Sequence, residues 1–145
     1  MQRKLNLGAG HVELPKDEGW VNLDCNDWPH VDVQAYIPPI PLEDESFDHI
    51  LASHFIEHIA PDKKIDLFNE CWRILKPGGD MLVYVPYARS DWAIADPTHV
   101  SFWVPESFQY FTQQMAYLRY GINIWSSADA FLQDNGWVVE ARLVK

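Results

Sequence analysis

A short strand, an amphipathic helix and a continuously apolar strand follow one another between Phe47 and Val85, and this order commits the chain to a sheet with parallel pairs. Phe47 to Ser53 reads as the first strand of the unit. From Asp62 onward, Ile65, Phe68, Trp72 and Leu75 recur at helical spacing until Lys76-Pro77-Gly78-Gly79 stops them. Met81 to Val85 then has the unbroken apolar character of a strand buried on both faces. Asp62, after Pro61, suits the helix start, and Lys76 suits the negative end of its dipole.

Three shorter strand candidates precede this unit: Lys4 to Leu7, Trp20 to Asp24 and Val31 to Ala35, each bounded by turn residues. The connection between the first two is too short for a crossover helix. His11 to Gly19 carries Pro15 and no helical apolar stripe, so the first helix is expected to be reduced to a turn. After Pro86 a polar and aromatic loop through Asp96-Pro97-Thr98-His99 feeds a helix from Pro105. Ala128 to Gln133 reads as a last short helix, ended by Asn135-Gly136, and Trp137 to Val144 as the closing strand. At 145 residues this makes one domain. The predicted sheet is open and mainly parallel, of about six strands in the order 3-2-1-4-5 with a final strand beside the fifth.

A net charge of −10, with Lys and Arg nowhere gathered in a stripe, argues against nucleic acid as a partner. No apolar run approaches the ~20 residues needed to cross a bilayer, and no basic-then-apolar leader opens the chain, so a soluble cytoplasmic protein is expected. Cys25 and Cys71 are far apart and lack CxxC spacing, which suggests reduced thiols rather than a disulfide or a thiolate metal site.

Gly8-Ala9-Gly10 directly follows the first strand, and Asp24 ends the second. Glycines there let a backbone approach a ligand, and a carboxylate at the next strand tip can accept both ribose hydroxyls. A dinucleotide fingerprint would need a glycine at 13, where Glu13 stands, and an acid further along than Asp24. The segments Leu5 to Gly10, Ile40 to His58, Leu75 to Gly79 and Asp96 to Phe108 resemble those of small bacterial and phage class I S-adenosylmethionine-dependent methyltransferases. The resemblance implies a Rossmann-like methyltransferase fold with S-adenosylmethionine as cofactor and S-adenosylhomocysteine as product. It implies a cofactor site of Leu7, Gly8, Ala9, Gly10, Asp24, Cys25, Tyr36, Ser53 and His54, with Asp24 on the ribose and Ser53 and His54 at the sulfonium. Val12 and Tyr36 depart from the family pattern, standing where a third glycine and an adenine-binding Asp are usual; the Tyr36 ring can stack on the base instead. The family sheet ends in an antiparallel pair, so one closing strand implies a truncated C terminus and a homodimer that completes the sheet.

Methyl transfer from a sulfonium is an in-line displacement, and a base is needed only for a protonated nucleophile. His54 and His99 are the candidate bases. Tyr87 and Asp96 are candidates to orient substrate, with a local turn the alternative for Asp96 and a helix cap near Pro105 the alternative for His99. His54-Phe55-Ile56-Glu57-His58 also matches the HxxEH pattern of inverted zinc peptidases, but that motif belongs inside a long helix and here follows a strand. No metal is therefore expected, and Glu57 and His58 are expected to pack and hydrogen-bond. Aromatic residues crowd the last third, most for the core and some as a wall for a small-molecule or saccharide acceptor. The rival reading is a degenerate S-adenosyl-ligand-binding or dimerisation module without catalysis.

Overall fold

The computed structural model describes all residues from Met1 to Lys145. Five strands run parallel in the order β3-β2-β1-β4-β5: β1 (Lys4–Leu7), β2 (Trp20–Asp24), β3 (Val33–Gln34), β4 (Phe47–Ser53) and β5 (Leu75–Pro86). Beyond β5 the sheet continues with β7 (Val138–Val144) and then β6 (Ser127–Leu132), both in antiparallel pairings. This is the expected order with one strand more. The single turn Lys16–Glu18 replaces the first crossover helix, as expected.

The added strand corrects the reading of Ala128 to Gln133 as a helix. Ala128 and Ala130 pack on the core at a spacing of two, and the segment pairs with β7 from Ser127 opposite Val144 to Leu132 opposite Val139. Two alanines favour helix locally, but a six-residue segment cannot close enough helical turns to compete with a full ladder. The sheet therefore ends in an antiparallel pair. The truncation expected at the C terminus is not present, and the reason for expecting a partner to complete the sheet goes with it.

Helix α1 (Lys64–Ile74) buries Leu67, Phe68, Cys71 and Ile74, a stripe at i, i+1, i+4 and i+7. Burial pushes the Cys71 thiol far above its ordinary range, as suits a packed, reduced thiol. Asp62 does not cap the helix, because the turn Pro61–Lys63 precedes it. Lys76 does not serve the helix dipole either; its ammonium pairs with both carboxylate oxygens of Asp48 at 2.9 Å. The aromatic third packs on α1: Phe68 stacks on Phe111 at 4.2 Å between ring centres and lies against Trp103 and Phe108. Two further helices, α2 (Asp91–Ala95) and α3 (Gln114–Tyr120), occupy the stretch read as loop and helix, and Pro105–Thr112 is a 3-10 helix.

Arg73 ties α1 to the approach to β4. Its guanidinium donates to both oxygens of Glu70, at 2.8 and 2.9 Å, and to the carbonyls of Ile40 and Leu42. The Arg73 hydrogen bonds hold the Glu70 carboxyl below its ordinary value of 4.5, with burial opposing them. A depressed carboxyl contributes stability that is full above that value and is lost as pH falls through the lower folded value. Glu70→Gln is expected to cost roughly 1 kcal/mol at pH 7 and to flatten the acid limb below about pH 4.5, read by thermal melts from pH 3 to 7.

Candidate active site

The carboxyl ends of β3, β2, β1 and β4 meet where the strand order reverses, the usual ligand crevice of an open parallel sheet. β1 ends at Gly8 and Gly10, with φ of +71° and +52°. This left-handed course brings the Gly8 and Ala9 amides onto the Leu23 carbonyl, each at 2.9 Å. A Cβ on Gly8 would run into the Phe55 ring, whereas the space over Gly10 is open.

Asp24 closes β2 with 7% of its surface exposed. One carboxylate oxygen accepts the Gly10 amide at 2.8 Å, and the other accepts the Asn26 amide and side chain at 2.8 and 2.9 Å. Burial works against its charge, but the Asn26 and Gly10 amides outweigh it and keep the carboxyl below the ordinary range. His30 braces the loop from behind, its Nε2 3.0 Å from the Gly10 carbonyl. Beneath β2, Asn6 donates to Asn22 at 2.9 Å, and Asn22 in turn bonds both backbone groups of Leu14. The helix-free crossover is held by these side chains instead of by an apolar helix face.

A cavity of about 240 Å³ opens beside Asp24, walled by Gly8, Cys25, Tyr36, Ile37, Phe55 and His58 among others. Of the sequence-predicted cofactor residues, Gly8, Asp24, Cys25 and Tyr36 meet here. Leu7 and Ala9 are buried beneath, and Gly10 contributes through Asp24. Tyr36 is 85% exposed and stands at the rim.

Ser53 and His54 lie outside this cavity. His54 takes φ of +51°, turning the chain at the end of β4. It opens instead onto a neighbouring cleft of about 390 Å³, shared with Glu57, His58, Pro86, Trp92, Asp96 and His99. His58 walls both spaces. Glu57 is 2% exposed and packs as expected, but neither of its carboxylate oxygens finds a hydrogen bond. His54 Nδ1 is 3.7 Å and His99 Nε2 4.0 Å from Glu57 Oε1.

His99 does not cap the segment at Pro105; its Nδ1 bonds the Ala93 carbonyl at 3.0 Å at the end of α2. Asp96 forms the local turn expected of it, accepting the Thr98 amide at 2.8 Å and hydroxyl at 2.6 Å. Tyr87, a candidate for orienting substrate, lines neither space. Its backbone bridges to Trp103 and its ring packs against the core, so tertiary pairing has drawn it away from the cleft. Asn26, His30 and Phe55 were not singled out from the sequence. Polar residues inside an otherwise apolar strand, as at Asn6 and Asn22, were the available signal for a braced loop.

A methyltransferase-domain family model matches residues 17–83, a stretch that includes Asp24 and the His54–His58 segment. A Mycolicibacterium smegmatis protein described as a probable S-adenosylmethionine-dependent methyltransferase is 33% identical over 76 residues, 52% of this chain. The matched stretch spans only 29% of that relative. Among solved structures, an S-adenosylmethionine-dependent methyltransferase from Archaeoglobus fulgidus superposes with a TM-score of 0.72 at 18% identity, covering 99% of this chain and 86% of the other. The 1,6-didemethyltoxoflavin-N1-methyltransferase of Burkholderia thailandensis, solved with 1,6-didemethyltoxoflavin and S-adenosylhomocysteine, superposes with a TM-score of 0.64 at 16% identity, covering 99% and 71%.

The sheet order and the glycine loop beside an acidic strand end define a doubly wound, nucleotide-type domain. The chain shares this fold with the S-adenosylmethionine-dependent methyltransferases on which it superposes, and just under half of it, residues 17–83, matches the methyltransferase-domain model.

Proposed function

We propose that this chain transfers a methyl group from S-adenosylmethionine to a small-molecule or saccharide acceptor. The observation that carries the reading is Asp24: a nearly buried, ionised carboxylate held by Gly10 and Asn26 beside a largely apolar cavity at the switch point. A carboxylate has about four lone-pair directions, and the three bonds it accepts leave one, on the oxygen that takes the Gly10 amide, for a ribose hydroxyl. At about 240 Å³ the cavity falls short of the roughly 300–1,000 Å³ typical of whole ligand sites, which suits the adenosyl half. The open space over Gly10 accommodates the remainder.

When bound, S-adenosylmethionine supplies an electrophilic methyl on a positively charged sulfur. The acceptor's lone pair forms the new bond to carbon as the C–S pair returns to sulfur, leaving S-adenosylhomocysteine. In this chain the cleft beyond β4 orients the acceptor, and His54, 46% exposed there, takes the proton that a hydroxyl or amine acceptor releases. His99, with only 8% of its side chain exposed, is the less accessible base. The acidic balance of the chain favours a neutral or cationic acceptor over an anionic one.

The test is S-adenosylhomocysteine production from a panel of small phenols, amines and sugars, with an RNA and a DNA duplex alongside. Turnover on a small acceptor is expected. Ligand binding without turnover on any of them would favour the non-catalytic module. Tyr36→Ala is expected to weaken S-adenosylhomocysteine about three- to tenfold by removing a stacking face of roughly 0.5–1.5 kcal/mol, measured by calorimetric titration.

A further inference from the structure

We propose that Glu57, His58 and His99 bind a divalent transition-metal ion in the cleft next to the cofactor cavity. The observation that demands a partner is Glu57. Its carboxylate is 2% exposed and neither oxygen has a hydrogen bond, an arrangement that an unpaired anion does not tolerate. The neighbouring imidazoles stand at 3.7 and 4.0 Å, beyond hydrogen-bonding reach, and leave both carboxylate oxygens without a donor.

Glu57, His58 and His99 each offer one ligand atom, and all three atoms lie within 4.8 Å of one another. Ligands bound at about 2.0–2.2 Å sit roughly 3–4 Å apart, so small inward rotations close the shell. The backbone is already fixed around it. The Glu57 carbonyl accepts the Val100 and Ser101 amides at 2.9 and 3.1 Å, and the Ser101 hydroxyl donates to the Ile56 carbonyl at 3.0 Å. The loop after β5 is thereby clamped over the turn after β4.

The imidazoles are oriented by their other contacts. A carbonyl can only accept, so His99 Nδ1 donates to Ala93 and its Nε2, the atom nearer Glu57 and Asp96, carries a lone pair in the neutral ring. The Thr98 hydroxyl donates to Asp96 at 2.6 Å and so accepts from His58 Nδ1 at 3.1 Å, fixing that ring. Such outer hydrogen bonds are what hold metal-ligating histidines in place.

The HxxEH motif thus gains a use other than the peptidase one. His54-Phe55-Ile56-Glu57-His58 leaves β4 through the turn Ile56–His58, not through a helix, and the remaining ligand comes from the loop after β5. Two imidazoles and one carboxylate suit zinc, iron, cobalt or manganese better than magnesium or calcium. Because His58 walls both spaces, the ion would stand between them, with a coordination position open towards the acceptor. That last consequence rests on the methyltransferase reading; the ion site does not.

Chelator-treated protein is titrated with Co(II), following visible d–d absorption and the melting midpoint. One equivalent is expected to bind with new bands and a raised midpoint, and azide is expected to shift those bands. Glu57→Gln and His99→Asn are each expected to weaken Co(II) at least tenfold while the melt shift with S-adenosylhomocysteine persists. No bands and no stoichiometric binding, or unchanged affinity in both variants, overturns the site, and bands indifferent to azide overturn the open position. Co(II) binding without any S-adenosylhomocysteine shift would retain the ion and remove the methyltransferase reading, so the two failures are distinguishable.

Discussion

Asp24→Ala is expected to weaken S-adenosylhomocysteine about tenfold while the domain remains folded. One ribose hydroxyl donating to the remaining carboxylate position is worth about 1.5–3 kcal/mol at best, and water at the emptied position recovers part, leaving about 1–2 kcal/mol. The same substitution strips an acceptor from the Gly10 and Asn26 amides, which lowers the unliganded stability by about 1–2 kcal/mol. Asp24→Asn separates the two effects, since it keeps an acceptor oxygen but loses the charge. Calorimetric titration of both variants, beside their melts without ligand, reads binding and stability independently. An Asp24→Ala protein that binds as tightly as the parent would remove Asp24 from the site.

Gly8→Ala should cost about 2–4 kcal/mol, seen as a melting midpoint lowered by roughly 10 °C. Two causes add. Alanine at φ of +71° loses about 1–2 kcal/mol to backbone sterics, and its Cβ must displace the half-buried Phe55 ring. Gly10→Ala supplies the contrast, because nothing lies within 4 Å of the added methyl and only the backbone cost of roughly 1 kcal/mol remains. In a Phe55→Ala background the Gly8→Ala penalty should shrink to that same backbone cost, a coupling that a double-mutant cycle measures. An equal penalty in both backgrounds would show that the ring yields freely.

Much of this architecture was readable because the responsible signals are local. The periodicity of α1, the apolar run of β5 and the turn glycines after β1 each report nearest-neighbour physics, and together they fix a parallel order. The missing first helix was legible for the same reason, since Pro15 and the lack of an apolar stripe leave nothing to wind. β6 was not. Ser127–Leu132 is a strand only because β7 lies beside it, and its alanines carry the opposite local preference.

The candidate site divides along the same line. Gly8 and Asp24 declare themselves by type and position, and both wall the cavity. Tyr87 was chosen for its chemistry and its place after β5, but its bridge to Trp103 is a long-range contact that no spacing announces. Glu57 shows the reverse. Its motif was visible, yet the fact that matters, a buried carboxylate left without a donor beside His99, exists only once residues 57 and 99 are brought together.

Calorimetric titration of the purified chain with S-adenosylhomocysteine is the most direct check on the proposed function. Saturable binding at one site is expected, with a melting midpoint raised by roughly 5–10 °C at about a hundredfold excess over the dissociation constant. No heat and no shift at millimolar ligand would mean that the Asp24 cavity does not serve S-adenosyl compounds, and the methyl-transfer reading would fall with it.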